Sequence, residues 1–189
     1  MRRNAESWVP VGACLVFVLC LGTALAGGDE KENAEKRAKI DAMASEALQT
    51  LLAKSPTAKE LSHKAIGYAV FSNLKIALGG SLGGGSGVAV PRSGKRVYMK
   101  MGTAGIGFGI GGQKYQVVFL FETEEAFRSF VDRGWQAGTS AQAAAKDKGV
   151  NVGAAFKNGV AFFQLTKKGL MASADISGTK YWKNDDLNK

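Results

Sequence analysis

The chain has 189 residues, 25 Lys and Arg against 16 Asp and Glu for a formal charge of +9, 25 Gly, 3 Pro, two Cys and one His. That length suits one domain with a buried core, and abundant glycine without proline excludes collagen-like and Pro/Gly-rich disordered chains. One His with two Cys is too few for a closed zinc shell or an iron–sulfur set, and the positive charge points to an acidic partner.

Arg2 and Arg3 precede an uncharged run from Ser7 to Gly28, most apolar from Ala13 to Leu21, and Ala24-Leu25-Ala26 follows as an A-x-A site. This is the layout of a secretory signal peptide over residues 1–26, and it implies export to the periplasm or cell envelope. The competing reading is an uncleaved anchor, but Pro10, Gly12 and Gly22 interrupt the run. Cys14 and Cys20 lie inside the signal, so the mature chain is expected to have no thiol and no disulfide.

From Asp29 to Lys54 there is no Gly or Pro, and Ile40, Met43, Ala47, Leu48, Leu51 and Leu52 recur at steps of three and four. That spacing predicts an amphipathic helix within residues 27–56, with charged first turns in solvent and the apolar stripe packed on the domain. Ser55-Pro56 breaks it. Thr57, with Glu60 three residues on, has the form of a capping box for a short second helix to about Lys64, in which His63 is a surface or packing residue.

From Gly67 the pattern turns to strands, namely GYAVF, IALGGSLGGGSGVAV, KRVYMKM, TAGIGFGIGG and KYQVVFLF. In KRVYMKM, alternation puts Arg96, Tyr98 and Lys100 on a wet, basic face and Val97, Met99 and Met101 on a buried one. Gly105, Gly107, Gly109 and Gly111 recur every second residue, leaving one face of that strand bare for close packing. Gly107, Gly109 and Gly112 formally match G-x-G-x-x-G, but strand follows where a dinucleotide site needs a helix, so no nucleotide cofactor is expected.

Thr123, Glu124 and Glu125 open a further helix with Phe127, Phe130 and Val131 as its apolar face and Gly134 as its stop. Ala137–Lys148 reads as a second short helix, so that a helical insertion spans about 123–148. Lys157-Asn158-Gly159 is a turn into VAFFQL, Lys167-Lys168-Gly169 leads to LMASADISGTKYW, and KNDDLNK reads as a polar tail. The architecture expected is α+β: an N-terminal amphipathic helix and a short second helix packed on a strongly curved, mostly antiparallel, barrel-like sheet over 57–189.

Charge is uneven. Residues 27–64 hold seven groups of each sign, whereas no Asp or Glu occurs between Glu60 and Glu122, a stretch that contains Lys64, Lys75, Arg92, Lys95, Arg96, Lys100 and Lys114. Lys75, Arg92, Lys95, Arg96, Lys100 and Lys114 therefore form a candidate basic binding face in the strand region.

The succession GYAVF (67–71), LGGSLGGGSGVAV (78–90), GIGFGIGGQKYQVVFLFET (105–123), GWQAG (134–138) and NGVAFFQLTKKGLMASADISGTKYW (158–182) resembles the SYLF domain family over roughly residues 57–183. The resemblance implies a noncatalytic lipid-binding module, since eukaryotic relatives bind phosphoinositides and some bundle actin. For an exported bacterial member the implied partner is an anionic phospholipid or membrane surface, reached by peripheral association. The charge-neutral 27–64 segment departs from the basic N-terminal segment of eukaryotic members, which moves the expected site to the basic strands. The alternative is a structural or protein-binding, actin-binding-like envelope domain without direct lipid contact. A hydrolase needs an activated nucleophile, and no spacing here supplies one; no catalytic, metal or cofactor residue and no nucleic-acid partner is expected.

N-terminal sequencing of the envelope fraction is expected to read from Gly27. A full-length chain that stays with the inner membrane after salt washing would show an anchor instead.

Overall fold

A computed structural model of the chain describes residues 19–78, 81–105, 110–136, 155–166, 169–171 and 178–189. Helices α1 (Leu19–Lys54) and α2 (Pro56–Lys64) precede strands β1 (Gly67–Leu78), β2 (Ser81–Pro91), β3 (Val97–Gly105) and β4 (Ile110–Phe121). Helix α3 (Glu124–Asp132), strands β5 (Trp135–Gln136), β6 (Val160–Thr166), β7 (Gly169–Met171) and β8 (Thr179–Lys183), and a 3-10 turn (Asp185–Leu187) complete the order. All pairings are antiparallel, in the order β5-β8-β3-β2-β1-β4-β6-β7. The result is the expected α+β fold, with helices packed on a strongly curved half-barrel.

Helix α1 is longer than the sequence pattern indicates, because its backbone stays helical back to Leu19. No helix among the described residues is long and apolar enough to cross a membrane. Its stripe is buried as expected. Ile40, Ala44, Ala47 and Leu51 lie against the sheet, and the two alanines let the helix backbone come close. The break after Lys54 is also a start. Ser55, not Thr57, caps α2, accepting a hydrogen bond from the Ala58 amide at 3.1 Å, while Pro56 takes the first helical position, where its missing N–H costs nothing. Thr123 caps α3 in the same way, and Gly134 (φ 71°) ends that helical segment.

Register assigns every strand residue to one of two faces. On the face away from α1, Ala69, Phe71, Met99, Met101, Val117, Phe119 and Phe121 meet Phe127, Phe130 and Val131 of α3. Phe119 is its centre, with rings of Phe71, Phe130, Trp135 and Tyr181 at 5.0–6.1 Å, in edge-on or tilted contacts. Beyond the aromatics lies a buried polar set: Asn73 donates to Tyr115 Oη (2.5 Å) and Thr103 Oγ1 (3.4 Å), and Thr103 meets Thr179 at 3.0 Å. Burial raises the Tyr181 phenol well above its ordinary pKa.

Several expectations are corrected here. IALGGSLGGGSGVAV is not one strand: β1 continues from GYAVF through Ser72 and Asn73 to Leu78, with the buried Asn73 partnered on β3 and β4, and β2 begins at Ser81. LMASADISGTKYW is split between β7, beside β6, and β8, across the sheet on β3. KNDDLNK is no free tail. Leu187 is buried against α1, and Asn188 both donates to the Tyr98 carbonyl and accepts from its amide. Close packing at bare glycines occurs on β2 rather than at Gly111, where an added Cβ would meet nothing within 4 Å. Gly107 and Gly109, like the predicted Ala137–Lys148 helix, lie outside the described residues.

An ideal Cβ on Gly85 would sit 1.8 Å from the Ser72 carbonyl oxygen, whereas on Gly84 its nearest neighbour is 3.8 Å away. Gly85→Ala is therefore expected to cost about 1–3 kcal/mol in a urea titration, and Gly84→Ala to leave the midpoint nearly unchanged. Equal midpoints for the two variants would mean that β1 and β2 are not held this tightly.

Candidate functional site

The α1 side of the sheet is built of rows that run across the strands. Ala161, Leu120, Tyr68 and Val90 form the first row and Phe163, Val118, Val70, Val88 and Tyr98 the second, both under α1 and α2. The third row, Leu165, Gln116, Ser72, Ser86, Lys100 and Trp182, is mixed. The fourth is Lys114, Leu74, Gly84, Gly102 and Lys180, and the fifth Gly112, Ile76, Leu82 and Ala104. The helices cover the first two rows, and burial in their cluster reaches the third only at Leu165.

The large apolar side chains exposed among the described residues are Leu74 (46%), Ile76 (49%), Leu82 (72%) and Trp182 (45%), and all four lie on this uncovered part of one face. Lys100, Lys114 and Lys180 are interleaved with them, and Gly84, Gly102 and Gly112 keep the surface between them shallow. The Trp182 indole lies over Gly102, 3.1 Å from where a Cβ would stand. A contiguous apolar surface rimmed by charge marks an interaction site, whereas scattered exposed leucines do not.

The six sequence-predicted residues do not share a face. Lys75 lies on the α3 side, next to Leu74 in sequence but opposite in the pleat. Arg92 and Lys95 sit at the β2–β3 turn, at the far end of the sheet from Leu82. Arg96 is paired to Asp41 of α1 at 3.2 Å, and Tyr98 donates to the same carboxylate at 3.1 Å. Burial, and then this hydrogen bond, raise the Tyr98 phenol above its ordinary pKa. The wet, basic face read from KRVYMKM is thus covered at Tyr98 by α1, and the charge-neutral 27–64 segment conceals the acid that meets Arg96. Only Lys100 and Lys114 join the uncovered patch, with Lys100 in a long, exposed contact to Asp186 (3.7 Å) that contributes little.

Leu74, Ile76, Leu82, Trp182 and Lys180 are what the sequence reading missed. Alternation through Ser72, Leu74 and Ile76 was the available signal, hidden because GYAVF and IALGGSLGGGSGVAV read as separate strands. His63 is exposed on α2, and no group of three or more His, Cys, Asp or Glu among the described residues is placed to hold a metal ion.

Residues 102–189 match the family described as Ysc84, Las17-binding protein actin regulator. Residues 102–189 are thus a SYLF domain. A curated relative, "Beta cell expansion factor A" of Aeromonas veronii, is 44% identical over 156 residues, covering 82% of this chain and 60% of the relative. The SYLF match starts within β3, yet β1 and β2 separate β3 from β4 in the sheet. The half-barrel of this SYLF protein therefore needs residues 67–91 as well as the matched half.

Because Arg96 is engaged by Asp41 and Lys114 lies in the fourth row, the two residues are expected to respond differently to substitution. Lys114→Glu is expected to weaken binding to anionic vesicles by roughly fivefold, the effect of about 1 kcal/mol, while Arg96→Gln leaves it within error. A loss at Arg96 equal to that at Lys114 would return the β2–β3 end to the docking surface.

Proposed function

We propose that this protein is a noncatalytic lipid-binding module that docks the uncovered end of its sheet on anionic membrane lipids in the bacterial envelope. One observation carries the reading: Leu74, Ile76, Leu82 and Trp182 are exposed together on one face, with Lys100, Lys114 and Lys180 between and beside them. Apolar side chains that enter the headgroup boundary gain hydrophobic transfer energy, a tryptophan suits that depth, and lysines beside them meet anionic headgroups. Membership in a family of lipid- or actin-binding type supports the reading, as does the export signal expected at residues 1–26.

The family's description as an actin regulator favours a second reading, a protein partner on the same face. Salt and lipid charge distinguish the two. The Debye length falls to about 3 Å at 1 M salt, so lysine–headgroup attraction fades while an apolar protein contact does not.

Co-sedimentation with phosphatidylglycerol vesicles, against phosphatidylcholine vesicles, tests the proposal. The triple variant Lys100→Glu, Lys114→Glu, Lys180→Glu is expected to bind at least about a hundredfold more weakly, from about 1 kcal/mol for each lysine. Ile76→Asp with Leu82→Asp is expected to abolish binding while leaving the melting temperature nearly unchanged, since both side chains are exposed. Undiminished binding by either variant, or binding that ignores vesicle charge and salt, would overturn the lipid reading and favour the protein partner.

A further inference from the structure

At the other end of the strands, roughly 30 Å along β1 from Ile76, two clefts open on opposite faces of the sheet. The larger, about 600 Å³, lies between α3 and the β2–β3 turn, with Val97, Phe127 and Val131 among its apolar walls. The smaller, about 240 Å³, lies between the sheet and α1–α2, with Leu48, Leu52 and Leu120 among its walls. Both are bounded by the same three residues, Ile66, Pro91 and Arg92. The Arg92 amide donates to the Ile66 carbonyl at 2.7 Å, tying the two segments into one ridge. Gly67 keeps that ridge thin, since a Cβ there would stand 3.0 Å from the Phe127 ring and 3.1 Å from the Pro91 Cα.

The charges at the ridge do not cancel. In the larger cleft Arg128 is paired with Glu124 and Lys183 with Asp132, whose carboxyl the Lys183 hydrogen bond holds below its ordinary range. Arg92 and Lys95 are exposed, and no acid among the residues lining either cleft is placed in an ion pair with them. The arrangement is thus one cationic crest with an apolar cleft falling away on each side.

We infer that this crest binds one molecule of a two-chain anionic amphiphile, its phosphate at Arg92 and Lys95 and its two hydrocarbon chains parted over the Ile66–Pro91 ridge, one in each cleft. Charge complementarity selects an anionic head, which a guanidinium holds with two parallel hydrogen bonds. Two clefts sharing one cation select two chains: a single-chain amphiphile fills only one, and a free phosphate neither. The inference rests on the reading of the protein as a lipid binder but not on the docking face, which lies at the opposite end of the sheet.

Soluble short-chain lipids below their aggregation threshold test it with no membrane present. The full chain is titrated calorimetrically with dihexanoyl phosphatidic acid, with its single-chain counterpart, with glycerol phosphate and with dihexanoyl phosphatidylcholine, and amide shifts at Ile66, Arg92 and Val97 report the place of binding. The two-chain acid is expected to bind at least about tenfold more tightly than the single-chain one, through the additional buried methylenes, and more tightly still than glycerol phosphate. Arg92→Ala is expected to weaken it at least about tenfold, by removing a charge-assisted contact from an exposed position. Ser62→Phe, which fills the small cleft, is expected to bring the two-chain affinity down to the single-chain value; its melting temperature shows that it folds.

Equal affinity for one and two chains, for phosphatidylcholine and phosphatidic acid, or for wild type and Arg92→Ala would overturn the inference. So would amide shifts confined to the Leu74–Leu82 end. Arg92→Ala with the soluble lipid reads the crest, and the Lys100→Glu, Lys114→Glu, Lys180→Glu protein with vesicles reads the face, so failure of the crest and failure of the face are distinguished.

Discussion

The sheet is longer than the layer that covers it, and most of the molecule's surface chemistry depends on that mismatch. β1 and β4 have twelve residues each and β2 has eleven, about twice the usual strand, so they reach roughly 40 Å. A helix with its side chains is about 10 Å wide, and α1 and α2 together shelter only the first rows of the α1 face. Strands of this length need both ends of both faces accounted for. On the α3 face, the rings around Phe119 and the Asn73–Tyr115–Thr103 hydrogen bonds do so; on the α1 face, nothing among the described residues does.

The same mismatch explains which parts of the fold were legible in the sequence. Amphipathic spacing from Ile40 to Leu52 and the capping pattern at Thr123 are local, and both elements stand where they were expected. The wrong readings in the strands and the tail involve distant partners. GYAVF and IALGG look like separate strands until Asn73 between them is given Thr103 and Tyr115, 30 and 42 residues away. KNDDLNK looks free until Leu187 finds α1 and Asn188 finds β3. Helix position 57 looks like a cap because the Thr–Glu spacing is right, but Pro56 already fits the first helical turn and assigns the cap to Ser55.

The candidate site was harder to read for a related reason. Counting lysines and arginines between two acids measures charge per stretch of chain, whereas a surface sums charge per face. Pleating sends Lys75 to one side and Leu74 to the other, and the turn carries Arg92 and Lys95 to the end remote from Lys114. Arg96 is taken out of the count by Asp41, a residue inside the segment that seemed electrostatically silent because its charges sum to zero. What identifies the patch is the apolar set, and exposure of an apolar side chain is a property of the finished fold, visible only once it is known which rows the helices leave uncovered.

Leaving leucine, isoleucine and tryptophan in water has a cost in solubility and in forgone burial, and the opposite face shows how the fold tolerates it. Phe71, Phe119, Phe121, Phe130 and Tyr181 are almost fully buried in one cluster, each in contact with several others. Large rings packed edge to face are among the strongest contributors per residue to a core. Because Gly85 and Gly87 carry no side chain, β2 lies close enough to β1 for the sheet to bend around that cluster, where a Cβ on Gly87 would fall within 2.5 Å of the Phe71 ring. Stability concentrated on the α3 face, and curvature built into the β1–β2 pairing, leave the far rows of the α1 face under no obligation to pack. Their side chains are rigidly presented by a paired sheet, so a partner that covers them need not first order a loop or helix, and the free energy of covering them goes into binding rather than into folding.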